Sequence, residues 1–354
     1  MKETLATIAA RTGVSTTTIS RVISGKSDKY RISPETAERV WAEVRRCNYT
    51  PSALAQSLRK NKTHTIGLLV PAISNPYFAD MASAVIDEAR EKNYTTVIVD
   101  SMEDEKNQRH AISALLSRKV DGIIAAPCGT DATLFEEVRK TLPLVLVDRY
   151  FEGSRIPYVS ANNYKGAFEA VELLAQNGHR SIACIQGDTD SVPNKARVKG
   201  YRDALKKYGL EEDALIVGDA FSIQNGYLET KLLLSRSPRP TAIFALSYTI
   251  LLGVLKAIRD SSLHIPEDLS ILSFDNHISL DYMTPPMTRV SQPVEEMGHL
   301  ATKLLLDYIE NNSDAVTQLS LSTTLVPGFS VARCDNTTEQ KLIAPASPGT
   351  RGRR

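Results

Sequence analysis

The chain reads as an α plus α/β protein, a small helical head followed by a body of two doubly wound halves. Three observations lead there. The first fifty residues carry apolar positions at helical spacing; the stretch that follows alternates short apolar runs with amphipathic segments, twice over; and the charge changes sign between the two parts. Residues 1–60 hold eleven Lys or Arg against five Asp or Glu, a difference of +6, so with a formal total of +1 the remainder carries −5. A cationic head on an anionic body points to a polyanion as partner for the head alone.

In the head, Leu5, Ile8, Ala9 and Ala10 make one short apolar face, Gly13 interrupts, and Val14, Ile19, Val22 and Ile23 begin another. Gly13 can take the positive φ that ends a helix without a Cβ clash, and Ser15 suits the N-cap of the next. Two short helices joined by a tight turn have helix-turn-helix spacing. The open side of the second presents Thr16, Thr17, Thr18, Ser20 and Arg21, where a solvated helix would favour Glu, Lys and Gln. Short hydroxyl donors and a guanidinium suit base edges and phosphates in a major groove. Ser33-Pro34-Glu35-Thr36 starts a third helix with an N-cap and a proline in its first turn. Val40, Trp41, Val44 and Cys47 are expected on its inner face, with Trp41, the only tryptophan, in the head's core.

V-S-T-T-T-I-S-R-V-I, R-I-S-P-E-T-A-E-R-V and N-Y-T-P-S-A-L-A-Q-S-L, in this order within sixty residues, resemble the headpiece of the lactose-repressor (LacI/GalR) family, and the likeness runs on to about Arg333. The resemblance implies a homodimeric transcriptional repressor on a pseudo-palindromic double-stranded operator. Thr4, Ser15, Thr16, Thr17, Thr18, Ser20, Arg21, Ser24 and Tyr49 form its expected DNA-facing set. It also implies that residues 52–58 are a hinge helix that folds when two copies meet over the minor groove, Ala55 packing there and Leu58 wedging between base steps. Seven residues are marginal as an isolated helix, and a wedge costs unstacking that the bend recovers in contacts. The expected divisions are a headpiece at 1–50, a hinge and linker at 51–62, a body at 63–334 and a disordered tail at 335–354.

In the body, strands are predicted at 66–70, 96–100, 121–126 and 144–148, then at 181–186, 242–246 and 269–274. Helices are predicted at 76–92, 105–119, 164–177, 195–208, 223–235, 250–260 and 294–311. Continuous apolar runs between helices imply parallel sheets covered on both faces. Two such halves joined by crossing strands describe a body of periplasmic-binding-protein type, which holds its ligand at the carboxyl ends of the strands. The candidates there are Asn75 and Phe78 after the first strand, Asp148 and Arg149 after the fourth, Asn194 and Arg197 opening a helix, Ser247 and Tyr248 after AIFA, Asp275 after a late strand, and Gln292 on a crossing segment.

By resemblance to the family's sugar-binding members, Phe78 supplies an apolar face while Asp148, Arg149, Arg197 and Asp275 bind hydroxyls of a carbohydrate effector. Carboxylates and guanidinium groups engage vicinal hydroxyls in a fork. The chain departs from the family where Asn-Asp is usual, reading Leu246-Ser247-Tyr248, and where V-D-N is usual, reading Ala161-Asn162-Asn163. Tyr248 is thereby a candidate for stacking on a larger ligand.

Other classes fit poorly. No run of 18 apolar residues spans a membrane, and the N-terminus lacks the apolar core of a secretory signal, so a cytoplasmic protein is expected. The four cysteines are far apart without CxxC spacing, so neither a metal site nor a disulfide framework is expected, and no cofactor motif occurs. Phosphate-binding glycine loops and a GxSxG elbow are missing and the six histidines are scattered, which argues against an enzyme. Cys128, at a strand end, is a weak nucleophile candidate. A solute receptor without regulatory role is the alternative reading, opposed by the basic head.

Overall fold

The structure, a computed structural model, describes residues 3–49, 62–311 and 315–334. The chain divides into two compact units, Met1–Thr63 and His64–Arg354. The predicted hinge helix at 52–58, with Ala55 and Leu58, and the tail at 335–354 lie outside the described residues.

The first unit holds α1 (Leu5–Thr12), α2 (Thr16–Ile23) and α3 (Pro34–Arg46), each opened by a hydroxyl that accepts a backbone N–H. Thr4 forms a capping box with Thr7, Ser15 caps α2 and Ser33 caps α3. Gly13 closes α1 at φ 67, donating its N–H to Ala9. Ile8, Val14, Ile19, Val22, Val40 and Val44 fill the space between the helices. Trp41 does not join them. Val40 and Val44 stand one turn apart on the inward stripe, and the residue after Val40 lies about 100° further round the helix, so Trp41 is 36 % exposed. Across the surface, Arg46 grips Glu43 through two bonds of 2.6 and 2.8 Å and Arg11 reaches both Glu43 and Glu3. Hydrogen bonds from Arg46 first, then Arg11, pull the Glu43 carboxyl down to about 2.

The second unit is two lobes, each a six-stranded sheet between helical layers. Lobe 1 contains β1 (Thr65–Val70), β2 (Thr95–Asp100), β3 (Gly122–Ala125), β4 (Leu144–Val147), β5 (Tyr158–Ala161) and β11 (Gln318–Leu321), ordered β11-β5-β4-β3-β1-β2. Lobe 2 contains β6 (Ile182–Ile185), β7 (Leu215–Val217), β8 (Ala242–Ala245), β9 (Ser270–Phe274), β10 (Thr288–Ser291) and β12 (Thr324–Val326), ordered β12-β10-β9-β8-β6-β7. Neighbours run parallel except β10 and β12. In lobe 1, α4 (Pro76–Glu91) and α11 (Val294–Asn311) cover one face, α5 (Glu105–Ser117) and α6 (Thr133–Arg139) the other. In lobe 2, α7 (Asn163–Gln176) and α8 (Val192–Lys207) lie opposite α9 (Ile223–Leu234) and α10 (Tyr248–Arg259).

Because β5 and β11 belong to lobe 1 while β10 and β12 belong to lobe 2, the chain passes between the lobes around Asn162, at 292–293 and at 322–323. These crossings are the hinge. Two helices begin earlier than their apolar periodicity suggests. Pro193 sits within the first turn of α8, where proline needs no N–H partner, and Ser247 caps α10 so that Tyr248 is its first residue. The helix α6 and the strand β7 were not anticipated, and the strands beside the crossings, β5, β10, β11 and β12, were expected without bounds; each of these strands is only three or four residues long, and β7, β11 and β12 contain no fully buried position.

In lobe 2, α9 and α10 touch backbone to backbone. A Cβ at Gly226 would stand 2.2 Å from the Ile250 carbonyl oxygen, and one at Gly253 would stand 2.2 Å from that of Ile223. Gly253→Ala forces the helices apart, so it should destabilise the body by about 1–3 kcal/mol in urea denaturation. In the head, the unfolded Glu43 carboxyl titrates near 4.5 and the folded one at about 2. The ion pair therefore stabilises the head fully above pH 4.5, and that contribution disappears as pH falls toward 2. Trp41 emission, which reports the head alone, should show this acid limb, and Glu43→Gln should make it shallower.

Candidate functional site

The head presents α2 with its polar side chains in two states. Ser15 Oγ accepts the Thr18 N–H at 3.1 Å and shares a proton with Thr18 Oγ1 at 2.9 Å; Ser24 Oγ donates to the Ser20 carbonyl, and Thr4 is held in the capping box. These hydroxyls stabilise helix ends. Tyr49 packs against the core. Thr16 and Thr17 stand exposed with no side-chain hydrogen bond among the described residues. Arg21 lies 3.9 Å over the Tyr30 ring and is in no carboxylate pair among the described residues, whereas Arg11, Arg45 and Arg46 all are. The cation on α2 is thus oriented by an aromatic face and not neutralised.

The second site is the cleft between the lobes, where the carboxyl ends of the strands face each other. Asp148 follows β4 and Asp275 follows β9, the strands in the third place of their respective sheets. Both aspartates adopt left-handed backbone, φ 63 and 75, a conformation Asp tolerates better than most residues. Both are 4 % exposed. The repeated topology therefore delivers a buried carboxylate from each lobe.

Each acid has a guanidinium near it. Arg197, on α8, donates to Asn163 Oδ1 at 2.8 Å and to the Leu246 carbonyl at 2.6 Å, lies over the Phe274 ring and comes to 3.9 Å from Asp275. Arg149 binds Glu103 through two bonds of 2.6 and 2.7 Å and passes 5.8 Å from the rings of both Phe78 of lobe 1 and Phe221 of lobe 2. Burial pushes the Asp148 carboxyl up, opposed by Arg149 and Arg197. Tyr77 donates its hydroxyl to Asp148 at 2.7 Å, and Gln292 donates to Asp275 at 2.7 Å.

Asn75, Phe78, Asp148, Arg149, Arg197, Ser247, Asp275 and Gln292 converge on one cavity. Two candidates do not. Asn194 is 1 % exposed and holds the loop after β6, accepting from the Gly187 N–H and donating to Gln186. Tyr248 is turned into the lobe 2 core, its hydroxyl 3.0 Å from Ser279 Oγ and its ring beside His277. At the first position of α10 it offers its backbone N–H to Asp275, while its apolar ring is better placed among Ile271 and Leu280 than in a polar cleft. Ser247 lines the cavity, though its hydroxyl also caps α10.

Tyr77, Ser191, Pro193 and Phe221 complete the lining and were not singled out from the sequence. Tyr77 adjoins Phe78 in the same turn, but nothing in helical periodicity tells which ring reaches the cleft. Phe221 follows β7, whose apolar run Leu215-Ile216-Val217 is only three residues long, too short to mark a strand end by itself. Elsewhere, Cys128 is buried against Gln108 and Ser101, and burial pushes its thiol up, so it is held protonated. Among the described residues no cluster of His, Cys, Asp and Glu is arranged for a metal ion, and no helix is long and apolar enough to cross a membrane.

Comparison with known proteins matches both parts. A family model described as bacterial regulatory proteins, lacI family, covers residues 4–52, and one described as a periplasmic binding protein-like domain covers 171–331. The chain is 35% identical to the ribose operon repressor of Haemophilus influenzae over 325 residues, 91% of this chain and 97% of that protein. It is 32% identical to catabolite control protein A of Priestia megaterium over 324 residues, 90% of this chain and 97% of that protein. Among solved structures, it resembles the lac repressor dimer bound to operator and the anti-inducer ONPF, with a TM-score of 0.84 at 25% identity over 94% of this chain and 100% of that one. It also resembles a LacI family transcriptional regulator from Enterococcus faecium with bound ribose, with a TM-score of 0.70 at 28% identity over 77% of this chain and 100% of that one. With head and body each matched, and relatives above 30% identity aligned over nearly their whole length, the chain belongs to the lacI family of bacterial regulatory proteins.

Proposed function

We propose that this protein is a homodimeric repressor acting in the cytoplasm, a regulator and not a catalyst, whose grip on a pseudo-palindromic operator is set by a small neutral sugar held between its lobes, with D-ribose as first candidate. The observation that carries this reading is the balance of charge in the cleft. Asp148 and Asp275 face Arg149 and Arg197, all 4–5 % exposed, so the lining sums to zero and both cations already have acidic neighbours. A phosphorylated ligand would add an uncompensated buried charge. A neutral polyol instead donates hydroxyl protons to the carboxylates, accepts from the guanidinium groups and lays its C–H faces against Phe78 and Phe221. Relatives named ribose operon repressors, and a ribose-bound family structure, support the choice of sugar.

Thr16, Thr17 and Arg21 read the operator's major groove in this scheme, and the hinge residues Ala55 and Leu58 serve the minor groove. The sugar acts only through its difference in affinity for the two lobe arrangements, and a coupling of about 1–3 kcal/mol corresponds to roughly 5- to 150-fold in operator affinity. Anisotropy titration of a labelled duplex from the gene's upstream region should show nanomolar-class binding that weakens steeply with salt. Arg21→Ala should weaken it by about tenfold, the lower end of losing one guanidinium contact. A thermal shift with D-ribose at 100 times its dissociation constant should reflect about 2.7 kcal/mol of added stability, and Arg197→Ala should abolish it. No response to ribose alongside a response to a purine base or a hexose would reassign the effector.

A further inference from the structure

Tyr77 occupies the point where both lobes and the hinge meet. It lies in the first turn of α4, 6 % exposed, its ring edge-on to Phe78 at 5.0 Å. Its hydroxyl has two acceptors within reach, Asp148 Oδ1 at 2.7 Å and Gln292 Oε1 at 3.4 Å. The Gln292 amide is oriented by its other end, since Nε2 donates to Asp275 at 2.7 Å and leaves Oε1 facing Tyr77. Asp275 in turn accepts the Tyr248 N–H at 3.0 Å. A continuous polar chain thus runs from Asp148 in lobe 1 through Tyr77 and Gln292 to Asp275 and the start of α10 in lobe 2. Gln292 belongs to the 292–293 crossing and leads directly into α11, the helix that packs on α4 so closely that a Cβ at Gly298 would stand 2.7 Å from Ala84 Cβ.

One hydroxyl proton cannot serve both acceptors at full strength. Burial and the neighbouring Asp148 hold the Tyr77 phenol well above its ordinary range, so it remains a donor throughout. We infer that Tyr77 is the positioning residue that reports cleft occupancy to the hinge: a ligand hydroxyl donating to Asp148 competes with Tyr77, whose proton then turns to Gln292 and locks the 292–293 crossing. This rests on the sugar-effector reading of the same cleft. In that state lobe 1 and lobe 2 are joined by two consecutive bonds, Tyr77 to Gln292 and Gln292 to Asp275, where this structure has one short bond and one of 3.4 Å. Bistability of a single donor between two acceptors is the kind of local change that a hinge can convert into lobe rotation.

The test separates coupling from affinity. Operator affinity is measured without ribose and at saturating ribose for wild type, Tyr77→Phe and Gln292→Leu, with the ribose dissociation constant determined for each by calorimetry. A residue that only binds ligand shifts the dissociation constant, and saturation restores the full response. Both variants are expected to bring the ratio of operator affinities at saturation from the wild-type value, 5-fold or more, to below 2-fold. The double variant should do no more than either single one, because both break the same chain. If either folded variant keeps the wild-type ratio at saturation, the relay does not carry the signal. If wild type itself does not respond to ribose, it is the effector assignment that fails; the comparison is then repeated with the purine base or hexose that does produce the shift.

Discussion

Four charged side chains buried between two lobes set the conditions that the rest of the body satisfies. Taking a carboxylate out of water costs several kcal/mol unless partners replace its hydration. Burial does push Asp148 upward, and the counterweight comes from Arg149, its neighbour in lobe 1, and from Arg197 across the cleft in lobe 2. Asp275 depends on Gln292 from the crossing, on the α10 backbone and on Arg197 nearby. Asp148 thus draws part of its compensation from the other lobe, while Asp275 is served by its own lobe and by the crossing. Any hydroxyl-rich molecule that enters this cleft joins a network already shared between lobes, so its binding and their relative position are thermodynamically linked.

Topological repetition explains how such a network arises without unusual chemistry. Each lobe has a largely parallel sheet whose third strand is followed by an aspartate with left-handed backbone, and each places the start of a helix, α4 or α8, against the same cavity. The first turn of α4 presents Tyr77 and Phe78 and that of α8 presents Pro193 and Arg197 one turn on. The two halves are not identical. Each contributes an aromatic ring and a guanidinium, but lobe 1 adds the Tyr77 phenol, and its Arg149 is held by the Glu103 carboxylate where Arg197 of lobe 2 is held by Asn163 and the Leu246 carbonyl.

In the head, the division of labour among similar side chains is decided by their partners. Hydroxyls at Thr4, Ser15 and Ser33 hold helix ends, and the arginines at 11 and 46 meet carboxylates. Thr16 and Thr17 stand exposed on α2, and Arg21, half-buried, is steadied by Tyr30. An ordered but unneutralised cation loses less entropy on meeting a phosphate than a flexible one.

Much of this was legible in the linear chain, for local reasons. Helix caps, the Gly13 turn, the long amphipathic helices and the apolar central strands depend on neighbours within a few residues, and they are where periodicity and capping chemistry put them. Asp148, Arg149 and Asp275 are marked in the sequence by following recognisable strands, and Arg197 by its place in a helix after one. Orientation was not. Trp41 and Val40 differ by one position, yet one is exposed and the other fully buried; Tyr248 and Ser247 differ by one, yet only the serine reaches the cavity. The short strands β5, β7 and β10 to β12 exist because a sheet is there to receive them, since three or four residues with mixed burial have no conformational preference strong enough to form alone. Likewise, that Tyr77 stands between Asp148 and Gln292, residues 71 and 215 positions away, follows from two lobes folding against one hinge, a distance no local propensity can span.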